Sequence, residues 1–467
     1  MQTDGRRAWD IKIACLGGGS CGRLWALMRD LALEGALAGT LALYDVDAEA
    51  AQKNAAIGNR MKNRAEVVGK FNYVACKSQA EALEGADFVV LSLLPGTLRE
   101  VESDLCAPQL CGVYQPVGDT TGPGGLMRAL RAGPIYQRIA LDVKAYCPDA
   151  FVLNYTTPMA HCLRVLYDAF PAIRAFGWCG ETASAKTLLC KALYDICGIA
   201  GVRRRSLVTQ VQGINHFTWI AQASWRGMDL LPVYRAFAEK YAETGYVEGA
   251  DGDWQTRPFE CAHRVKFDLF LRYGAIAAAS DRCLAEFLPC PRYLRTPECA
   301  AEWKFALTPI SWHHEERARR AALRERYVSG AAEMPLTPSG DMAVAIFKAL
   351  LGLGDLTVDV NLPNAGQITN VPLGAVVETG ACVRDHHIAP LVTGPLPPQI
   401  LSLTMPALAA QEAVLDAVRG RDAQKAVSAF VDDPLMCRVS GKNAVKLMRA
   451  MLSGSSAYLR GFHLDVR

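Results

Sequence analysis

Several patterns that mark common classes of protein are missing from this sequence. It contains no Walker loop and no HExxH motif, so typical P-loop enzymes and zinc peptidases of that class are excluded. It also has no apolar run long enough to span a bilayer, and the short run after Arg6 and Arg7 is broken by Lys12 and by glycines. We therefore expect neither a signal peptide nor a membrane anchor.

The sequence also has no large excess of positive or negative charge. The 50 Lys and Arg residues nearly balance the 47 Asp and Glu residues, which gives a formal charge of +3. This balance provides no strong basic field, so nucleic acid is not an expected partner. The mixed-charge run at 313–327 is interpreted as a solvated helix face with i, i+4 pairs. The 16 cysteines form no CxxC pair, which is typical of reduced thiols in a cytoplasmic protein.

What is present is an alternation of strand-like and helix-like segments in the first third of the chain. Apolar runs such as IKIACL, TLALYDVD, ADFVVLSLL and AFVLNYTTP are separated by helical patterns. This alternation predicts βαβ units and a parallel sheet buried on both faces. A chain of 467 residues also exceeds the usual size of one core. We therefore predict an α/β fold with a parallel-sheet lobe at 1–200 and a mixed α+β lobe at 201–467.

A glycine-rich loop follows the first of these strands. Gly17, Gly19 and Gly22 have GxGxxG spacing, which allows a tight turn and close approach of the backbone to a pyrophosphate. Asp45, at the end of the next strand, can accept hydrogen bonds from a ribose and favours NAD over NADP. A glycine turn beside an unrelated aspartate is the alternative, but it does not account for both features. The predicted NAD-binding residues of this Rossmann-type lobe are Gly17, Gly19, Ser20, Gly22, Asp45 and Pro95.

The chain also resembles glycoside hydrolase family 4, the NAD-dependent glycosidases, over most of its length. The resemblance rests on blocks that lie in the family's order and spacing. These blocks are GGGSCG at 17–22, VGDTTGPGGLMRALR at 117–131, NYTTPMA at 154–160, WCGE at 178–181, GINHFTW at 213–219, SDRCLAEFLP at 280–289 and VNLPNAGQITNVPLGAVVE at 360–378.

This resemblance implies hydrolysis in which NAD removes hydride from C3, the C2 proton is lost, the C1 substituent is eliminated, water adds and the hydride returns. It also implies a divalent cation, manganese in the family, as a Lewis acid at the C2 and C3 oxygens. Cys179 and His216 match the family's metal ligands, and Asn154 matches the residue that contacts the sugar and the ion. Taken alone, a Cys and His pair would suggest zinc, whereas sugar oxygens suit manganese.

The implied chemistry requires a base for the C2 proton and an acid for the leaving group. Tyr273 lies near the place of a tyrosine base in the family, with simple packing in a helix as the alternative. Asp119 and Glu181 are candidates for the acid, with helix capping or surface solvation as the alternative. Asp281 and Arg282 are candidates for binding the sugar, and a surface salt bridge is the alternative for them.

Three positions depart from the family pattern. Gly180 stands after Cys179 where relatives carry a polar residue, Cys283 stands in place of a histidine, and Thr157 replaces an asparagine. We therefore expect an unphosphorylated glycoside, namely a galactoside, a glucoside or a uronide. The resemblance also implies a homodimer or homotetramer. Two rival functions remain, an NAD-dependent dehydrogenase of a sugar or 2-hydroxy acid and a non-catalytic NAD-binding sensor.

Overall fold

The computed structural model describes residues 1–247, 254, 257–289 and 292–467, and all of its strands and helices lie within these ranges. The strands are β1 (Gln2–Thr3), β2 (Ala8–Leu16), β3 (Leu37–Tyr44), β4 (Lys70–Ala75), β5 (Phe88–Leu91), β6 (Phe151–Asn154), β7 (Arg174–Gly177), β8 (Val208–Ile214), β9 (Phe217–Trp225), β10 (Met228–Asp229), β11 (Ile276–Ala277), β12 (Leu356–Pro363), β13 (Val376–Arg384) and β14 (His387–Pro390).

Helices connect and cover these strands. The α-helices are α1 (Arg23–Ala32), α2 (Ala48–Met61), α3 (Gln79–Leu83), α4 (Leu98–Gln109), α5 (Gly122–Tyr146), α6 (Met159–Ala169), α7 (Glu181–Cys197), α8 (Leu231–Lys240), α9 (Arg264–Tyr273), α10 (Asp281–Glu286), α11 (Pro297–Glu302), α12 (Ile310–Ser329), α13 (Ala343–Leu350), α14 (Pro398–Gly420), α15 (Val427–Val431) and α16 (Gly441–Ser455). Short 3₁₀ helices lie at Arg204–Ser206, Ala423–Ala426, Pro434–Met436 and Ser456–Tyr458. No helix in the described ranges is long and apolar enough to cross a membrane.

The larger sheet has the order β14-β13-β12-β7-β6-β5-β2-β3-β4, with β1 paired to β2. The strands β4, β3, β2, β5, β6 and β7 run parallel, in the order that two βαβ halves of a Rossmann fold produce. The predicted parallel-sheet lobe is therefore confirmed. The strands β12 to β14 extend this sheet in antiparallel fashion from beyond residue 200, and the division at 1–200 and 201–467 stays a prediction.

Both faces of the parallel sheet are buried, which explains why its strands read as continuous apolar runs. In β2, Ile13 packs into the core on one face, with α1 and α13, whereas Ala14 packs on the opposite face with α5 and α6. The carboxyl ends of β2, β5, β6 and β7 therefore meet at one edge, where ligands bind in such sheets.

A smaller antiparallel sheet of β8 to β11 forms part of the mixed second half of the chain. Its central feature is the β8–β9 hairpin, in which Ile214 pairs with Phe217, so Asn215 and His216 form a two-residue turn. This hairpin packs against β13, the strand next to the edge strand β14 of the larger sheet. The turn formed by Asn215 and His216 therefore lies toward the carboxyl ends of the parallel strands.

Candidate active site

The predicted dinucleotide loop lies between β2 and α1. Gly17 has φ +95°, and a Cβ atom at this position would lie 2.1 Å from the carbonyl oxygen of Ser92, so a side chain is excluded. The N–H of Gly19 donates to Oδ2 of Asp45 at 2.8 Å, and Oγ of Ser20 accepts from the N–H of Gly22 at 3.3 Å. Asp45 therefore holds the glycine loop against the end of β3, and its contact with a ribose stays a prediction.

Pro95 lies in the loop that follows β5. Its carbonyl oxygen accepts a hydrogen bond of 3.1 Å from Nε of Arg131, whose terminal nitrogens pair with buried Asp104. Because Ser92 of the same loop touches Gly17, the Pro95 loop and the glycine loop form adjacent walls of one crevice. The contact between Pro95 and the cofactor stays a prediction.

Two arginines of α12 cover the glycine loop, which the sequence interpretation missed. Nη1 of Arg324 donates to the carbonyl oxygen of Gly19 at 3.1 Å, and Nη1 of Arg320 would lie 3.1 Å from a Cβ placed on Gly22. The predicted intrahelical pairs exist, since Glu316 bonds both Arg319 and Arg320. One side of α12 nevertheless forms a wall of the crevice. The i, i+4 spacing of charges could not distinguish this side from a face that is exposed to solvent.

Replacing Arg320 by Gln is expected to weaken NAD binding about tenfold, because a charged hydrogen bond to a phosphate contributes ~1.5 kcal/mol. Calorimetric titration with NAD measures this effect. Arg319→Gln is the matched control, because Arg319 pairs with the same Glu316 but its side chain is 65% exposed. Equal affinities of the two variants would show that Arg320 does not contact the cofactor.

A compact cluster of metal-binding side chains lies at the carboxyl edge of the sheet. Cys179 follows β7, Glu181 begins α7, and His216 lies in the β8–β9 turn. The ligand atoms of these three residues lie within 4.8 Å of one another. The structure thus brings together the predicted ligands Cys179 and His216 and adds Glu181, which was predicted as an acid.

The orientation of His216 is determined by a chain of hydrogen bonds. Oγ1 of Thr120 donates to Oδ1 of Asp119 at 2.7 Å, so it accepts the proton on Nδ1 of His216, also at 2.7 Å. The other ring nitrogen, Nε2, lies 4.0 Å from Oε2 of Glu181 and is the nitrogen available to a bound cation. Thr120 was not among the predicted residues, although its hydroxyl beside Asp119 was a usable signal.

The backbone of this turn is unusual for a histidine. His216 has φ +65°, which belongs to the left-handed region. A two-residue hairpin loop commonly requires such values, and asparagine and histidine adopt them more readily than most residues. The turn that presents the imidazole was not predicted from GINHFTW, which served only as a block of the resemblance.

The charges in this cluster are strongly coupled. Burial alone would lower the pKa of His216, but Glu181, Cys179 and Asp119 together raise it well above its usual value. Burial raises the pKa of the Cys179 thiol, with Glu181 adding to the effect. Burial acts to raise the pKa of Asp119 too, yet His216, Arg128 and two hydroxyl groups lower it overall. The donors form an electronegative pocket that fits a divalent cation bound through thiolate, imidazole and carboxylate.

The loop that carries Asp119 and Thr120 is held by a buried carboxyl group. Oε1 of Glu286 accepts from the N–H groups of Val117 at 2.7 Å and Gly118 at 3.0 Å. Arg282 contributes from the same helix, since its Nη2 donates to the carbonyl oxygen of Pro116 at 2.7 Å and also bonds Thr308. Arg282 is only 3% exposed, so the structure favours an anchoring role over its predicted contact with the sugar.

Glu286 is expected to make stability depend on pH. Burial raises its pKa to about 8 from an ordinary value of 4.5, so between these values the folded state binds the additional proton. Its contribution to the free energy of unfolding is therefore complete below pH 4.5 and is lost as the pH rises to 8. Urea denaturation across this range should show a flatter pH dependence for Glu286→Gln than for the wild type. Parallel pH profiles would contradict the assignment.

Three other predicted residues have structural contacts. Asn154 is fully buried, and its Oδ1 accepts from the hydroxyl of Tyr136 at 2.7 Å. The ring of Tyr273 packs edge-on against Trp219 and makes no hydrogen bond with the described residues of the metal cluster. The carboxylate of Asp281 accepts from the backbone N–H groups at the start of α9. Packing and helix capping therefore account for these residues, and their predicted contacts with substrate stay predictions.

Cys261, His263 and Asp281 form a second group with metal-like spacing. Here, however, the carboxylate of Asp281 is fully buried and already bonded to two N–H groups, and the nearby Lys266 ammonium balances its charge. A divalent cation would be repelled by that ammonium group. We therefore assign this second group a packing role.

Comparison with protein families matches most of the chain. Residues 12–194 match the family model described as family 4 glycosyl hydrolase, and residues 211–436 match its C-terminal domain. An α-galacturonidase of Thermoanaerobacterium saccharolyticum is 49% identical over 99% of both chains. An α-galacturonidase of Bacillus subtilis is 46% identical over 95% of this chain and 97% of its own.

Solved structures show the same fold. A Bacillus subtilis protein described as a candidate glucosidase superposes with a TM-score of 0.91 at 45% identity, covering 95% of this chain and 100% of its own. A 6-phospho-α-glucosidase from gut microorganisms, solved with NAD and Mn²⁺, has a TM-score of 0.81 at 20% identity and covers 98% of this chain and 100% of its own. At that lower identity the likeness concerns the fold.

Proposed function

Because the chain belongs to family 4 of the glycosyl hydrolases, we propose that it hydrolyses unphosphorylated α-galacturonides with NAD and a divalent cation, manganese. Membership confirms the predicted family, the glycosidase activity and the use of NAD with a divalent metal. One observation carries the choice of substrate. The Cys179, Glu181 and His216 cluster occurs in a chain that aligns from end to end with α-galacturonidases.

The residues of the site have distinct tasks in this reaction. When bound, NAD and the cation supply hydride transfer at C3 and charge stabilisation at the sugar oxygens. Thr120 fixes the His216 ring so that Nε2 faces Cys179 and Glu181. Asp119 has a lowered pKa and accepts hydrogen bonds from the hydroxyl groups of Thr120 and Thr157, so it is an ionised carboxylate that positions these two residues and is a weak base for the C2 proton. The base role stays a prediction for Tyr273, and Glu181, which lies among the candidate metal ligands, is not assigned the role of acid for the leaving group.

Space at the site supports a substrate with an additional group. A Cβ atom on Gly180 would meet only the ring of Trp178, at 3.6 Å, so the position after Cys179 is open. A polar side chain there would occupy volume beside the metal cluster. Its absence leaves room for part of the sugar.

The test is hydrolysis of p-nitrophenyl α-galacturonide in D₂O with NAD and Mn²⁺. We expect deuterium at C2 of the released galacturonate and no net NADH, because the hydride returns in each turnover. Product without deuterium at C2 would contradict the mechanism. NADH formed in proportion to product would instead favour the dehydrogenase alternative, and no turnover of any aryl glycoside would favour the sensor.

We further propose a homodimer or homotetramer located in the cytoplasm. The described cysteines are all free thiols, a composition suited to a reducing compartment. The family resemblance supports the assembly. Light scattering of the purified protein gives the subunit number, and a monomer would contradict the proposal.

A further inference from the structure

Arg128 lies on α5 beside the metal cluster. Its Nε donates to the carbonyl oxygen of Thr157 at 3.1 Å, and Oγ1 of Thr157 donates to Oδ2 of Asp119 at 2.8 Å. Asp119 in turn lies 3.8 Å from Nδ1 of His216. Arg128 is therefore connected to the candidate metal ligand His216 through Thr157 and Asp119.

The terminal nitrogens of Arg128 are unused within the described part of the chain. They donate to no described residue, no described carboxylate lies within 4.0 Å, and the side chain is half-buried. Other cations of the described chain are already engaged, Arg131 with Asp104, Lys186 with Asp359, Arg23 with Asp341, and Arg282 with the carbonyl of Pro116. Arg128 thus offers a planar pair of donors at the border of the site.

A negatively charged substrate needs a cation at this border. Asp119, Glu181 and the thiolate form of Cys179 create a field that repels a carboxylate. A guanidinium also matches a carboxylate through two parallel hydrogen bonds, which a neutral hydroxymethyl group cannot form.

We infer that Arg128 binds the C6 carboxylate of the uronide and so determines the preference of the site for charged over neutral sugars. This inference rests on the proposed function. The metal cluster holds the C2 and C3 side of the ring, and Arg128 holds the opposite side at C5 and C6. Substrate charge is thereby recognised at a distance from the reacting carbons.

The test compares p-nitrophenyl α-galacturonide with its neutral C6 methyl ester and with p-nitrophenyl α-galactoside. Arg128→Gln is expected to lower kcat/KM for the uronide about 100-fold and to change it less than threefold for the neutral substrates. Arg128→Lys should restore part of the loss. Calorimetric binding of galacturonate and galactose to the NAD- and manganese-loaded protein gives a readout that does not depend on turnover.

Arg138→Gln is the matched control, because Arg138 lies on the same helix, is 77% exposed and pairs with Asp142 at 3.0 Å. Equal losses on charged and neutral substrates, or an unchanged preference in Arg128→Gln, would overturn the role of Arg128 while leaving the proposed function intact. A wild-type enzyme that cleaves only the neutral substrates would overturn the proposed function, and the Arg128 assignment with it.

Discussion

Cys179→Ser is expected to lose its bound manganese and at least about 10³-fold in hydrolytic rate, because a Lewis acid contributes several kcal/mol to stabilising the charge at C2. A serine hydroxyl is a much poorer ligand than a thiolate, and the two remaining donors, Glu181 and His216, leave the site incomplete. Metal content is measured by mass spectrometry after gel filtration, and rate with p-nitrophenyl α-galacturonide. NAD binding should be unchanged, since the glycine loop lies on a different strand end.

Cys190→Ser is the control for this experiment. Cys190 lies on α7, the helix that begins beside the cluster, and its thiol belongs to neither metal-like group. It should retain manganese and activity. A Cys179→Ser protein that keeps stoichiometric manganese and wild-type rate would remove Cys179 from the site.

Gly17→Ala is expected to abolish NAD binding and to lower the free energy of unfolding by ~3 kcal/mol. The left-handed backbone at φ +95° costs a residue with a Cβ about 1–2 kcal/mol, and overpacking against the carbonyl of Ser92 costs a similar further amount. Relief of that contact requires the loops after β2 and β5 to separate, which deforms the pyrophosphate crevice. Urea denaturation measures the stability, and titration with NAD measures the binding.

Gly85→Ala separates the two costs. Gly85 also has a positive φ, +66°, but a Cβ there would meet nothing within 4 Å. This variant should lose only about 1 kcal/mol and bind NAD normally. If Gly17→Ala were no less stable than Gly85→Ala, the close approach to Ser92 would not restrict this position.

The local parts of the fold were predictable because their causes are local. Apolar runs separated by helical patterns indicated the parallel sheet, and the spacing of Gly17, Gly19 and Gly22 indicated the loop at its edge. The resemblance of ordered blocks supplied Cys179 and His216, which a single cysteine or histidine in an apolar stretch would not reveal. The antiparallel extension by β12 to β14 was not predicted, since it depends on pairing between segments far apart in the chain.

The missed site residues share one property. Thr120 is hydrogen-bonded to His216, and Arg320 reaches the glycine loop from a helix in the other half of the chain. Arg282 and Asp281, by contrast, stand in a recognised block and were predicted; they bond backbone groups of other segments, and their contact with the sugar stays a prediction. Residue type and spacing along the chain could not show which of these side chains contact the site and which bond backbone groups elsewhere. Each contact depends on which distant segment of the chain lies against the residue.

By itself the sequence determined the class of sheet, the dinucleotide loop and the family, because these follow from periodicity, spacing and block order along the chain. Only the tertiary structure decided that Glu181 lies beside the predicted metal ligands, that the pKa of Asp119 is lowered and that the terminal donors of Arg128 are left unused by the described residues at the border of the site. The physical reason is that charge, burial and hydrogen bonding depend on neighbours in space. Cys179, Asp119 and His216 come from three separate segments of the sequence and become neighbours only when the sheet edge and the β8–β9 hairpin meet.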